Sequence, residues 1–148
     1  MKKKIVLGVL IGLIAGGILI QFLPYGHDHT NPPVAGEPQW DRQQTRDLVT
    51  RACYDCHSNQ TTWPWYSNVA PLSWLIQRDV EEGRSRLNFS EWNQQRREVE
   101  NVARLVQGGT MPQWYYVFLH PTANLTPAEK EVLIQGLQTS LSGGGQTQ

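Results

Sequence analysis

The sequence predicts an all-α fold, a small helical domain that follows an N-terminal transmembrane helix. Residues 5–23, IVLGVLIGLIAGGILIQFL, carry no charge at all. Beyond residue 40, four segments repeat apolar residues at helical spacing. Strand alternation is sustained nowhere, apart from a short hint in WYYVFL at 114–119. No internal repeat is visible, and 148 residues leave room for one small domain behind the N-terminal segment.

The first element is residues 1–23, a membrane anchor or signal segment. Nineteen residues, 5–23, apolar apart from Gln21 and the glycines, at ~1.5 Å rise cover close to the ~30 Å of a bilayer's hydrocarbon core. An uncleaved anchor is the expectation, with the lipid bilayer as partner through residues 5–23. A cleaved signal peptide is the competing reading; it would have a shorter apolar run and a small-x-small site, whereas Leu23 runs straight into PYGHDH. Either way Lys2, Lys3 and Lys4 stay in the cytoplasm. The expected location is therefore the inner (cytoplasmic) membrane, single-pass, with the domain on the periplasmic side. Thiols rarely stay free there.

Those lysines also explain the charge balance. The whole chain has 13 basic and 13 acidic residues, and removing the three leaves 10 against 13 from Pro24 onward. No basic face of the kind nucleic acid requires is present.

Residues 24–39, PYGHDHTNPPVAGEPQ, hold four prolines and two glycines without hydrophobic period. They are expected to form a linker holding the domain off the membrane. Its His27 and His29 make a poor metal site by themselves and are expected to be solvated.

The domain is expected to span 40–141. Asp41 can cap a helix whose Leu48, Val49, Ala52, Cys53 and Cys56 recur at helical spacing, so that Cys-x-x-Cys-His ends it. APLSWLIQRDVEEG begins a second helix at Pro71 and is expected to stop at Gly83. Ser90 can cap a third, striped by Trp92, Val99, Val102, Leu105 and Val106 and ended by Gly108 and Gly109. Thr126, Pro127 and Glu129 spell a capping box that opens the fourth, whose Val132, Leu133, Leu137 and Leu141 face the core. The tail, 142–148, is expected to be disordered.

The chemistry lies in RACYDCHSNQ, which holds both cysteines of the chain. Cys53, Cys56 and His57 form C-x-x-C-H, the attachment pattern of c-type haem. Two thiols one helical turn apart reach the two vinyl groups of a porphyrin, and the next residue aims its imidazole at the iron. One covalent haem c is expected, with His57 as proximal ligand. Three alternatives compete. A thioredoxin-type dithiol wants a βαβ unit, which is missing here. Structural zinc wants two more ligands, and beyond His57 the domain offers only His120. A disulfide would close a loop too short to stabilise much.

The sixth iron position calls for methionine or histidine. Met111, in the rigid loop QGGTMPQ, is the expected distal ligand. His120, in FLHPTANL, is the rival, and an empty site is the third option. A thioether would favour Fe(II) over Fe(III) relative to a second imidazole. All six tryptophans fall between 40 and 114, and Trp63, Trp65 and Trp114 are expected to pack near the cofactor.

Three strings, CYDCHSNQTTWPWYSNVAPLSWL, EEGRSRLNFSEW and GGTMPQWYYVFLHPTANLT, resemble a bacterial family of haem-binding domain proteins with a single C-x-x-C-H. The likeness covers about 40–141. It implies a cytochrome c-like helical domain with covalent haem, exported and often membrane-tethered. Cys53, Cys56 and His57 match the family's attachment site; Met111 and His120 both lie in matching strings. Electron transfer is the expected role: a monohaem cytochrome passing one electron among exported redox partners, after loading by cytochrome c maturation machinery. That role makes the chain an electron carrier rather than an enzyme. A peroxidase-like haem enzyme, or a haem-based gas or redox sensor, are the alternatives; both need an accessible sixth site.

Overall fold

The computed structural model describes residues 2–92 and 100–142. Seven α-helices and no strand occur among them, with a single isolated bridge between Gly36 and Glu91. The all-α expectation holds. The first helix, α1 (Lys2–Leu19), continues as a 3₁₀ turn over Ile20–Phe22. This 21-residue run has a mean hydropathy of 2.5 and none of it is buried. It is long and apolar enough to cross a membrane.

The core forms where α2 (Gln43–Ala52) packs on α7 (Pro127–Ser142), with α5 (Glu100–Gln107) on the other flank of α7. Leu48 and Val49 of α2 meet Leu133, Leu137 and Leu141 of α7, as their spacing implies. Close approach is possible because position 136 is glycine: a Cβ there would overlap the Thr45 side chain of α2. The Thr126 box also forms. Thr126 N–H donates to Glu129 Oε2 (2.8 Å) and Glu129 N–H to Thr126 Oγ1 (3.2 Å).

Several sequence-based expectations need correction. Helix α2 starts at Gln43 without a side-chain cap; the Asp41 N–H takes Ser140 Oγ of α7 as acceptor instead, at 2.9 Å. C-x-x-C-H does not finish α2. Cys53 leaves the helical region (φ −130°, ψ −30°), and a new turn, α3 (Tyr54–His57), begins behind it. The helix α4 (Leu72–Arg86) does not stop at Gly83. That glycine is buried inside the helix because α3 presses on it; a Cβ at 83 would overlap the Cys56 carbonyl oxygen and sit 2.9 Å from its carbon. WYYVFL is helix α6 (Trp114–Leu119). Its alternation is too short to outweigh the absence, among the described residues, of any strand to pair with.

Residues 24–39 do not run as an open spacer. They lie along the domain as a strap. His29 stacks on Trp63 with ring centroids 4.4 Å apart, and its Nε2 is 3.1 Å from the Ser67 carbonyl. Asn31 donates to the Thr61 carbonyl, Asn59 to that of Pro33, and the Ala35 and Gly36 amides to Ser90. Arg84 of α4 ties strap to loop, donating to the Thr30 and Ser58 carbonyls, Asn31 Oδ1 and Thr61 Oγ1. Of the Ser90-capped helix, residues 93–99 with Val99 lie outside the described residues, as does the tail beyond 142; Ser90 Oγ itself accepts the Asn59 N–H.

Candidate functional site

Both cysteines and His57 sit on α3 and its entry. The backbone turn is closed by the Cys56 and His57 amides, which donate to the Cys53 carbonyl at 3.2 and 2.9 Å. Two neighbours hold the turn. From α4, Gly83 allows contact with Cys56. Behind it, the 87–91 segment passes under the imidazole: Phe89 N–H donates to the His57 carbonyl at 2.8 Å.

The imidazole is oriented by its own hydrogen bonds. His57 Nδ1 lies 3.1 Å from the Gly83 carbonyl and 3.0 Å from that of Leu87. Both partners can only accept, so Nδ1 carries the hydrogen and shares it between them. In its neutral form the ring therefore carries its hydrogen on Nδ1 and its lone pair on Nε2, which is the tautomer an iron ligand needs.

Cys53 and Cys56 are half-buried and not bonded to each other. Burial pushes both thiols up to about 12, and for Cys56 the nearby Asp79 and Asp55 carboxylates add to the rise. Neither resembles the low-pKa thiolate of a redox dithiol.

Ala52, Cys53 and His57 form one wall of a cleft. The opposite side comes from Val102, Leu105 and Val106 of α5 and from Thr110, Met111 and Pro112, with Arg86 and Leu87 at the end of α4. This space holds about 680 Å³, within the ~300–1,000 Å³ usual for cofactor sites. A smaller recess of about 130 Å³ continues it past Cys56 to Gln113 and Tyr116. Thus both thiols, His57 and Met111 line one continuous hollow. Met111 is held at its rim by the end of α5. There Gly109 adopts φ +70°, a left-handed conformation that suits glycine, and the Met111 amide donates to the Leu105 carbonyl at 3.2 Å.

His120 faces elsewhere. Its Nδ1 is 3.1 Å from the Tyr116 carbonyl, and so donates to it; its Nε2 then accepts from the Tyr66 hydroxyl at 3.0 Å. The ring stacks on Tyr116 at 4.2 Å. It borders a second, apolar groove together with Leu72, Leu75, Ile76 and Leu119, which Cys56 also lines. Tyr116 borders both this groove and the recess, as do Cys56, Asp79 and Gln113, and it donates to Asp55 at 2.8 Å.

Of the three tryptophans, Trp63 is half-buried beneath His29, while Trp65 and Trp114 are exposed; none borders the cleft. The sequence did not suggest the roles of the Gly83 and Leu87 carbonyls, Arg86 or Tyr116. Backbone acceptors leave no residue signature, although EEGRSRLNF, which carries both carbonyls, is among the strings of the family likeness.

A family model described as a haem-binding domain matches residues 15–139. The chain belongs to the haem-binding domain family. The match begins inside α1 and includes the strap, as the packing of 24–39 leads one to expect. No curated protein and no solved structure matches the chain. The donor set of the cleft suits the family's cofactor. An imidazole that can offer Nε2 to iron and a hollow with an apolar wall suit a haem, and the two sulfurs beside them are of the kind that could form thioethers to it.

Proposed function

We propose that this haem-binding domain protein is a membrane-tethered monohaem c-type cytochrome that carries single electrons on the periplasmic side of the inner membrane. The observation that carries the reading is the shared cleft: both thiols, an oriented imidazole and a methionine in one lining. In this reading Cys53 and Cys56 hold the haem through thioethers, His57 Nε2 binds the iron, and Met111 Sδ takes the sixth position. Haem supplies a one-electron iron couple. The protein supplies orientation, an apolar lining and exclusion of water.

Met111 is preferred to His120 on hydrogen-bonding grounds. Ligation by His120 would require its Nε2 to give up the Tyr66 hydroxyl and the ring to leave the Tyr116 stack. Met111 has no such bonds to break. Six-coordinate iron of this kind suits electron transfer, because nothing need bind or leave on reduction. The uncharged run 5–23 supports the tether, and Lys2 to Lys4 support cytoplasmic placement of its start.

The test is to purify the chain from a host competent in cytochrome maturation and denature it. Haem colour should stay with the polypeptide, at the mass of chain plus one haem. A weak far-red methionine charge-transfer band should be present, should vanish in Met111→Ala and should survive in His120→Ala. Colourless denatured chain would overturn the attachment. High-spin iron that binds carbon monoxide rapidly would turn the reading toward an enzyme or sensor.

A further inference from the structure

The end of the anchor is fastened to the domain. Gln21 donates through Nε2 to the Ala70 carbonyl at 3.0 Å and accepts the Ala70 N–H on Oε1 at 2.9 Å. Four residues later Tyr25 donates to Glu81 of α4, and Gly26 packs against Ser73 and Trp74. No slack separates the membrane exit from the folded surface.

This fixes which surface meets the lipid. With Lys4 at the cytoplasmic boundary, the nineteen residues 5–23 at ~1.5 Å per residue bring Leu23 to the opposite boundary. Ala70 is hydrogen-bonded to Gln21 at that depth. Trp65, five positions before Ala70, begins a 3₁₀ turn over Trp65–Asn68 and so lies on the order of 10 Å away. The polar layer of a bilayer face is ~5–8 Å thick. Trp65 is 78% exposed, and Val69 and Leu72 beside the clamp are exposed too. Leu72 lines the apolar groove with Leu119 of α6, whose neighbour Phe118 is 79% exposed. Large exposed apolar side chains grouped in this way are costly in water and mark an interaction surface. Tryptophan is the residue enriched at the water–lipid boundary.

We infer that the haem-binding domain rests directly on the outer face of the bilayer through Trp65, Val69, Leu72, Phe118 and Leu119, with lipid as the occupant of this surface. The inference rests on the reading of α1 as an uncleaved span.

The test uses the full haem-loaded chain in phosphatidylcholine nanodiscs, with one nitroxide at a time on Trp65→Cys, Phe118→Cys, Ile11→Cys or Gln138→Cys. Accessibility to oxygen, which partitions into lipid, is compared with accessibility to a water-soluble nickel chelate. Gln138, exposed on α7, is the aqueous reference. The expected result is an oxygen-to-nickel ratio several-fold higher at 65 and 118 than at 138, and highest at 11. A water-like ratio at 65 and 118 with a lipid-like ratio at 11 would overturn the inference and leave the anchor standing. A water-like ratio at 11 would overturn both. Positions 65 and 118 shielded from both reagents would mean that protein covers the surface, which also overturns it.

Discussion

Replacing Gly83 by alanine should damage the haem site without touching any ligand. Alanine is the better helix former by about 1 kcal/mol, so an ordinary position in α4 would gain stability. Here the new Cβ would overlap the Cys56 carbonyl oxygen and stand 2.9 Å from its carbon, where ordinary contact begins near 3.4 Å. The obstacle is backbone, not a side chain that can rotate aside. Turn α3 must therefore retreat by roughly 0.5–1 Å, an overpacking strain of about 1–3 kcal/mol. The His57 Nδ1 contacts, at 3.0 and 3.1 Å, share one hydrogen and have only a few tenths of an ångström to lengthen before they fall outside the usual hydrogen-bond range. Such a retreat breaks at least one of them, a loss of about 0.5–1.5 kcal/mol. Set against the helix gain, the net loss is about 2 kcal/mol. For a domain of this size that lowers the thermal midpoint by about 8 °C. In the proposed ligation by His57, a weaker Nδ1–H bond also makes the imidazole less basic, which disfavours Fe(III) and raises the reduction potential, by on the order of 40 mV per kcal/mol of one-electron coupling. Calorimetry and potentiometry on the loaded protein read both quantities. An unchanged or raised midpoint would refute the close-approach argument; a lowered midpoint with an unmoved potential would refute the link to His57.

Gly136→Ala is the companion case: it should lower the midpoint comparably through Thr45, yet leave the haem spectrum and potential as they were, since α7 lies away from the cleft lining. Arg84→Ala should cost about 2–4 kcal/mol in urea unfolding, because four acceptors on strap and loop lose one charged donor group; Arg84→Lys should recover only part, lacking the planar fork. Glu129 is held down to about 2 by the Thr126 amide, Arg51 and the Thr126 hydroxyl. A depressed folded-state value means the stabilisation is present above the ordinary carboxylate range and disappears as pH falls toward 2. Stability measured from pH 6 down to pH 2 should consequently fall less steeply in Glu129→Gln than in the parent chain; parallel curves would refute the assignment.

Local chemistry was legible wherever it is written in side chains close together in sequence. The capping box at 126–129, the stripe of α7 and the grouping of Cys53, Cys56 and His57 on one turn all follow from spacing alone. What escaped depends on distant backbone. Gly83 reads as a helix stop because nothing nearby shows that Cys56 presses on it. Residues 24–39 read as a spacer because prolines and glycines suit a free chain and a docked strap equally well; the strap's partners, Trp63, Asn59, Ser90 and Arg84, lie tens of positions away. WYYVFL misled through a period too short to separate strand from helix. Aromatic density suggested a cofactor lining, whereas Trp65 and Trp114 stand in the open.

On the electron-carrier reading proposed above, the strap bears on how the molecule finds its redox partners. Sixteen residues released from the surface would reach ~50 Å, enough for the domain to sweep a hemisphere and meet donors at many heights. Laid flat and pinned, the same residues give a leash of almost zero length. The search becomes two-dimensional, by drift within the membrane plane, and only a counterpart whose own redox centre stands at matching altitude above the lipid can exchange with it.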